Sequence, residues 1–315
     1  MWRFALRRLL MLVATLFVVS VIAFLLPYAS PGDPALMILR SRVSELVTDP
    51  VTLAALRTDL GLDRPLAVQY VSWLSDAVRG NFGYSFTSRA PVAGEIGRAI
   101  LVSFTLAMSA LVLAIAVSLP LGTLAAIKPG GRLDTFATLL TQTLIALPEY
   151  WLAPMGILLF SLWLGWLPSA GWNSAASVIL PAVILSLRPM AYFTRVARAA
   201  MLDVLQAPYI TAARSRGLSF GETVLRHGLR NAAQPVVTLF SLWLAGLLGG
   251  SMIIEVIFAI PGMGRLIYDG VVNKDLPLLQ AGFMATVALS VLINTLADLA
   301  YAALNPMVRY DRQRA

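Results

Sequence analysis

Cysteine is absent from the 315 residues and histidine occurs once, at His227. These two shortages exclude disulfide scaffolds, Cys/His metal clusters, thiol nucleophiles and the HExxH zinc-protease pattern together. Charge is scarce as well: 13% of residues are charged, against about a quarter in a soluble domain. The only lysines, Lys128 and Lys274, follow Ile127 and Asn273, so no GxxxxGK[ST] phosphate loop exists and any ATP must be bound by another chain. What fills the chain is apolar: 58% of residues, with a mean hydropathy of +0.78. That leaves too little polar surface to cover a soluble core and makes the bilayer the natural solvent. The pI near 10.2 could point to nucleic acid, but the bases are spread between apolar runs and are not clustered with stacking aromatics.

Read against the roughly 20 residues needed to cross a bilayer, the apolar runs predict six spans. They lie near Leu9 to Leu26, Ile100 to Ile127, Thr135 to Trp163, Val178 to Val196, Pro235 to Ile254 and Leu278 to Leu304. The fold class is therefore an all-α polytopic membrane protein with six transmembrane helices. Arg3, Arg7 and Arg8 precede the first span as they would a signal peptide, but the apolar run is long and lacks an A-x-A-like cleavage site. With the N-terminus inside, the cytoplasmic segments hold 15 of the 24 bases and 4 acids, the external segments 9 bases and 10 acids, and Glu149 and Asp298 lie within spans. The resulting +11 inside, −1 outside and −2 in the membrane satisfy the positive-inside rule and place both termini in the cytosol.

The chain then divides into a tail and first span (1–27), an external loop (28–98), a five-span core (99–308) with a cytoplasmic loop at 201–231, and a cytoplasmic tail (309–315). The external loop is long enough to need its own structure. Asp33-Pro34 and Asp49-Pro50 read as N-caps followed by proline at the first helical position, and Gly61 and Gly80 as helix stops.

The cytoplasmic loop carries Tyr209-Ile-Thr-Ala-Ala-Arg-Ser-Arg-Gly217, then Arg226-His-Gly-Leu-Arg-Asn-Ala232 and Pro235-Val236. Pro31-Gly-Asp-Pro-Ala35, Leu60-Gly-Leu-Asp-Arg-Pro65, Gln69-Tyr70, Leu147-Pro148 with Tyr150-Trp151, Gly249-Gly250, Glu255, Phe258, Pro261-Gly-Met-Gly264 and Asn294 with Asp298 complete the pattern. In order and spacing the chain resembles the permease subunits of ABC importers, in the form used by the dipeptide, oligopeptide and nickel family. The resemblance implies the type I importer architecture in a bacterial inner membrane, with a second homologous permease, two ATPase subunits and an extracytoplasmic substrate-binding protein as partners. It implies no cofactor on this chain, with ATP and Mg bound by the ATPases, and no enzymatic role for the chain itself.

The same resemblance implies a coupling helix over residues 202 to 217, contacting the ATPase through Thr211, Ala212, Ala213, Arg214, Arg216 and Gly217. The residues agree: Ala212, Ala213 and Gly217 give a small-residue face that allows close backbone approach, and the arginines can meet carboxylates. Thr211 stands where the broader superfamily has an acid. An interfacial helix with arginines on lipid phosphates is the alternative for this segment. His227, between arginines, reads as a hydrogen-bonding side chain more readily than as a proton switch. Glu255, Phe258, Pro261, Gly262 and Gly264 correspond to the family's outer gate, where proline and glycine force a change of direction.

Glu149 and Arg188 depart from the family, which usually has a small polar residue at the first position and a small or apolar one at the second. An ionised group costs several kcal/mol at the bilayer centre, so neither is expected to face lipid. Counted at about 1.5 Å per residue, they lie about 21 and 15 Å from the outer ends of their spans. They are expected to form an intramembrane pair or to line the translocation path. Asp298 reads as a helix-end partner. The cargo expected from the resemblance is a peptide, with a chelate of nickel or another metal as the alternative. An ion-coupled secondary transporter is the reading of a different class, and it expects repeated halves that are not evident in the sequence.

Overall fold

A computed structural model describes residues 2–29, 58 and 63–304. The expected N-caps at Asp33 and Asp49 and the helix stop at Gly61 lie outside the described residues, as do residues 30–57 and 59–62 of the external loop and the C-terminal tail. Among the described residues the only extended pairing is an isolated bridge between Tyr84 and Pro91, and the rest of the regular structure is helical.

Among the described residues five helices are long and apolar enough to cross a bilayer, and one bent pair supplies a sixth crossing if it counts as a single span. α1 (Trp2–Ala29) is apolar on nearly all sides, as a helix surrounded by lipid must be. α2 (Leu66–Val78) is short, and Gly80 just beyond it takes φ +81°, the left-handed conformation that stops a helix there. α3 (Val92–Ile127) starts well before the expected Ile100. Glu95 and Arg98 interrupt the apolar run in sequence, yet Glu95 sits in the first turn of α3, where a carboxylate complements the helix dipole. The boundary expected at 98/99 therefore falls inside a helix.

The third crossing is not the straight helix that its run length predicts. α4 (Arg132–Ala146) and α5 (Glu149–Gly156, continued by a π-turn over Ile157–Trp163) meet at 98°. The cause is Leu147-Pro148: Pro148 has no N–H to donate, and it drives Leu147 into the extended region, at φ −80° and ψ 125°. α6 (Ala176–Leu205) outruns its expected end at Val196 and takes in residues assigned to the cytoplasmic loop. α7 (Pro208–Ser215) and α8 (Phe220–Thr223, extended by a π-turn over Val224–Gly228) lead into α9 (Leu229–Gly250), which starts before the expected Pro235 and carries that proline inside it. α10 (Met252–Ile257), α11 (Met263–Val272) and α12 (Leu276–Leu304) complete the described chain.

The chain separates into two compact units. In the first, which takes in Met1–Ser103, Leu248–Met252 and Pro261–Ala315, α1 lies along α12 and α11 against α12. Phe17, Phe24, Tyr28, Tyr70 and Trp73 form an aromatic cluster joining α1 to α2. Ser20 and Tyr70 share a 2.7 Å hydrogen bond, and the Tyr28 hydroxyl donates to Gln69 at 2.8 Å. Arg8 and Asp298 form an ion pair at 2.8 Å, giving Asp298 the partner role read from the sequence. Asp275, fully buried just before α12, accepts from the Ser85 hydroxyl at 2.5 Å, from the Thr87 N–H at 3.1 Å and from the Leu278 N–H at 3.3 Å. The last of these bonds caps one of the helix's orphan donors.

The second unit comprises Phe104–Leu247 and Ile253–Ile260, with α4 and α5 both packed on α6. Gly122 of α3 is the close-approach point: a Cβ there would stand 2.7 Å from the Thr194 carbonyl oxygen and 2.8 Å from Ala197 Cβ. Only the missing side chain lets these two backbones cross so tightly.

Candidate functional site

The segment singled out in the sequence folds as a compact helical corner inside the second unit. α6 ends at Leu205, and after a short link Pro208 occupies the first position of α7, where its missing N–H costs no hydrogen bond. α7 closes in a Schellman motif. Gly217 takes φ +94°, its N–H donates to the Arg214 carbonyl at 3.0 Å, and the Leu218 N–H reaches the Ala213 carbonyl at 3.4 Å. Ser219 and Glu222 then form a capping box that starts α8. The Arg214 guanidinium lies 5.7 Å from the centroid of the Phe220 ring and ties α7 to α8.

This corner sorts the expected contact residues into two groups. Thr211, Ala212, Arg214 and Arg216 are exposed, together with Tyr209 and Ser215. Ala213 is not: it is 1% exposed and, with Ile210, faces its own chain. The small face expected from Ala212, Ala213 and Gly217 is therefore divided. Ala213 packs inward, and Gly217 is required for its backbone conformation, since its surroundings are open. The 202–205 portion of the expected helix belongs to α6. His227 sits half-buried in the π-turn, and its carbonyl accepts from the Asn231 side chain at 2.8 Å.

A second feature lies on α6, two turns before the corner. Arg198 donates to the Asp134 carboxylate from Nε at 2.5 Å and from Nη2 at 2.7 Å, and the Gly130 N–H donates to the same carboxylate at 2.8 Å. Asp134 is 5% exposed. A bidentate guanidinium–carboxylate contact fixes orientation as well as distance, so α4 and α6 are clamped beside the residues that lead into α7. In sequence both groups read as ordinary loop charges; their separation of 64 residues left no local signal.

Glu149 and Arg188 also belong to this unit, and the expected side-chain pair is not made. Among the described residues no ion pair joins them. The reason is the Pro148 bend. Glu149 is not in the middle of a continuous helix but at the first position of α5, where unpaired N–H groups and the helix dipole favour a carboxylate. Arg188 is exposed and Glu149 half-buried.

Of the residues expected at the outer gate, Glu255 and Phe258 are buried in the second unit, at 0% and 1% exposure. α10 ends there in another Schellman arrangement, with Ile260 N–H to the Glu255 carbonyl at 2.8 Å and Ala259 N–H to the Val256 carbonyl at 3.2 Å. Ala259 occupies the left-handed position, at φ 51°. The Gly171 N–H donates to the Phe258 carbonyl at 2.8 Å and holds the turn in place. Pro261, Gly262 and Gly264 belong to the first unit, where Gly262 precedes α11 in extended conformation. Gly264 lies so near Met252 that a Cβ would stand 2.5 Å from the Met252 Cα. Neither the left-handed alanine nor this contact has a sequence signature beyond the Pro-Gly-Met-Gly punctuation.

Residues 118–310 match the family described as "Binding-protein-dependent transport system inner membrane component", and residues 1–109 match its N-terminal region. The chain is 39% identical over 310 residues to the glutathione transport system permease protein GsiC of Escherichia coli strain K12, a match covering 98% of this chain and all of that protein. The proteins of the same name from Shigella dysenteriae serotype 1 and Shigella boydii serotype 4 show the same identity and coverage. Long apolar helices, the helical corner after α6 and these matches over nearly the full length agree. The chain belongs to the family of binding-protein-dependent inner membrane components and is a multi-pass permease subunit of an ABC importer, a transport component with no catalytic role.

Proposed function

We propose that this permease forms one half of the translocation path for a small peptide, with α7 as the helix through which a partner ATPase drives it. The observation that carries the reading is the exposed face of α7, bearing Thr211, Ala212 and Arg214 on a corner braced from within by Ile210, Ala213 and the Gly217 turn. A short helix held rigidly on its inner side and open on its outer side transmits a push without deforming. Arg198 on Asp134 carries that push into α4 and α6. The partners are a second related permease, two ATPase subunits that bind ATP and Mg, and an extracytoplasmic binding protein. In this reading both termini and the corner lie in the cytosol, an orientation that the distribution of arginines supports. Closure of the ATPases shifts the spans between inward-open and outward-open arrangements, each ligand selecting the state that it binds more tightly. The peptide assignment rests on the GsiC relatives, whose name states glutathione transport.

The test separates the two faces of α7. Ala212→Trp places bulk on the exposed face; with the importer complex assembled, substrate-stimulated ATP hydrolysis should fall about fivefold or more, as expected for a clash of about 1–3 kcal/mol. Ala213→Trp strikes the buried face and should instead reduce the yield of folded chain. Full stimulation with Ala212→Trp would remove the coupling assignment. For orientation, a single cysteine in place of Ser215 should react with an impermeant maleimide only after the cells are opened, and labelling in intact cells would reverse the topology.

A further inference from the structure

α2 belongs to the long loop after the first span, yet its contacts place it beside the apolar run of α1 rather than beyond its end. The Tyr70 ring lies 5.4 Å from the Phe24 ring and 6.3 Å from the Phe17 ring, and its hydroxyl shares the bond with Ser20. Trp73 lies 5.7 Å from Phe24. Phe24, Ser20 and Phe17 precede Ala29, the last residue of α1, and lie about 8, 14 and 18 Å along the helix from it. All three fall within Leu6–Ala29, the stretch apolar enough to cross a bilayer. α12 gives an independent depth marker. Its Gln280 side chain donates to the Ala23 carbonyl at 2.8 Å, which sets a position about 6 Å inside the start of α12 level with one about 9 Å inside the end of α1.

The sides of α2 differ in a way that suits this depth. Tyr70, Trp73 and Ala77, three and four residues apart, form the face turned to α1, and Ala77 is buried. The opposite face carries Val68, Val71, Ser75 and Val78 at the same spacing, with Val71 65% and Val78 80% exposed. One flank between these faces is polar, with Gln69, Ser72 and Asp76, and the other is apolar, with Ala67 and Leu74. No charged residue occurs between Leu66 and Ser75, while Asp63 and Arg64 precede that stretch and Asp76 and Arg79 follow it. Phe17 touches Tyr70 and is itself 57% exposed, as are Val18, Ile22 and Leu25 of α1 to similar degrees. The lipid-facing surface of α1 therefore continues onto the outward face of α2.

We propose that α2 is an interfacial helix embedded in the leaflet at the C-terminal end of α1, with Val68 and Val71 among lipid acyl chains and Ser72 and Asp76 toward the headgroups and water. An amphipathic helix lies in this manner with its apolar side below the headgroup level, and Tyr28, Tyr70 and Trp73 are the amphipathic rings that favour that level. The external loop is thereby fixed to the membrane surface as well as to the spans. The proposal rests on α1 crossing the bilayer and not on the role assigned to α7.

The native chain has no cysteine, so Val68→Cys, Val71→Cys and Ser72→Cys can each carry a single nitroxide in the assembled importer in nanodiscs. Power-saturation EPR then compares collisions with oxygen, which concentrates in hydrocarbon, and with a neutral nickel chelate, which stays in water. Oxygen should exceed the nickel chelate at positions 68 and 71, and the order should reverse at 72. Nickel access at 68 and 71 as high as at 72 would show a face in water and overturn the proposal. Access by neither reagent at 68 and 71 in the importer, with access restored in the isolated subunit, would show a protein covering the face and overturn it as well. Elution of the intact complex checks assembly, and Ser75→Cys, a one-atom change on the same outward face, gives the same reading if a valine variant fails to assemble.

Discussion

Ala259 holds backbone space that glycine occupies at lower cost. At φ 51° its Cβ is crowded against the following carbonyl, a penalty of about 1–2 kcal/mol for an L-residue. Ala259→Gly should therefore raise the stability of the purified chain by about 0.5–1 kcal/mol, after allowing for the extra freedom glycine has when unfolded. Thermal unfolding in detergent measures it, and a lowered midpoint would show that the alanine methyl contributes packing that outweighs the strain. Gly264 presents the opposite case. A Cβ there meets backbone atoms of Met252, so Gly264→Ala should lower stability by about 1–3 kcal/mol through forced displacement, read in the same experiment. At this scale little was legible in advance. The glycines at 217, 262 and 264 stand out in the sequence, but which one supplies a left-handed turn and which one allows close approach depends on contacts made by residues elsewhere in the chain.

The elements were more legible than their ends. Apolar run length located every long helix, because a span must satisfy its backbone internally and present apolar side chains to lipid. It failed where a polar residue sits inside a helix, as at Glu95 in α3, and where an apolar run continues through a break, as at Leu147-Pro148. Proline was visible there, but Pro120, Pro181, Pro189 and Pro235 lie within helices that continue past them. What distinguishes Pro148 is the extended conformation of Leu147 before it, which hydropathy does not report. The Asp134–Arg198 clamp is the element-scale feature that sequence did not reveal, and it is testable. Its Arg198 side chain is 31% exposed, so breaking it should cost about 1–3 kcal/mol, less than a fully buried pair. Asp134→Asn and Arg198→Gln should each destabilise the chain, and the double variant should be milder than their sum by about 1 kcal/mol or more. Strict additivity in the thermal midpoints would show that α4 and α6 are held together without this contact.

For the whole molecule, the informative charges are those left on faces that a bilayer would not accept. Arg188 is exposed and Glu149 half-buried in the isolated chain, both within spanning segments and without a direct pair. An arginine facing hydrocarbon costs about 2.5–3.5 kcal/mol even by the lowest scales. In the assembled importer these faces must therefore meet water or another protein chain. Because Glu149 stands at the first position of α5 and makes no ion pair with Arg188 among the described residues, Glu149→Gln and Arg188→Gln should be close to additive in stability, within about 0.5 kcal/mol. A larger coupling would show that the pair closes in the complex. Cargo selection gives the second readout. If the faces line the path, a cysteine at 188 in the assembled complex should react with a hydrophilic thiol reagent, and added substrate should protect it. Arg188→Gln should then weaken transport of peptides with a free terminal carboxylate more than that of their amides, because the guanidinium is the group that recognises a carboxylate. A cysteine at 188 that stays unreactive in the complex while reacting in the isolated subunit would assign the arginine to the contact between permeases, and the charge preference of the cargo would have to be set elsewhere.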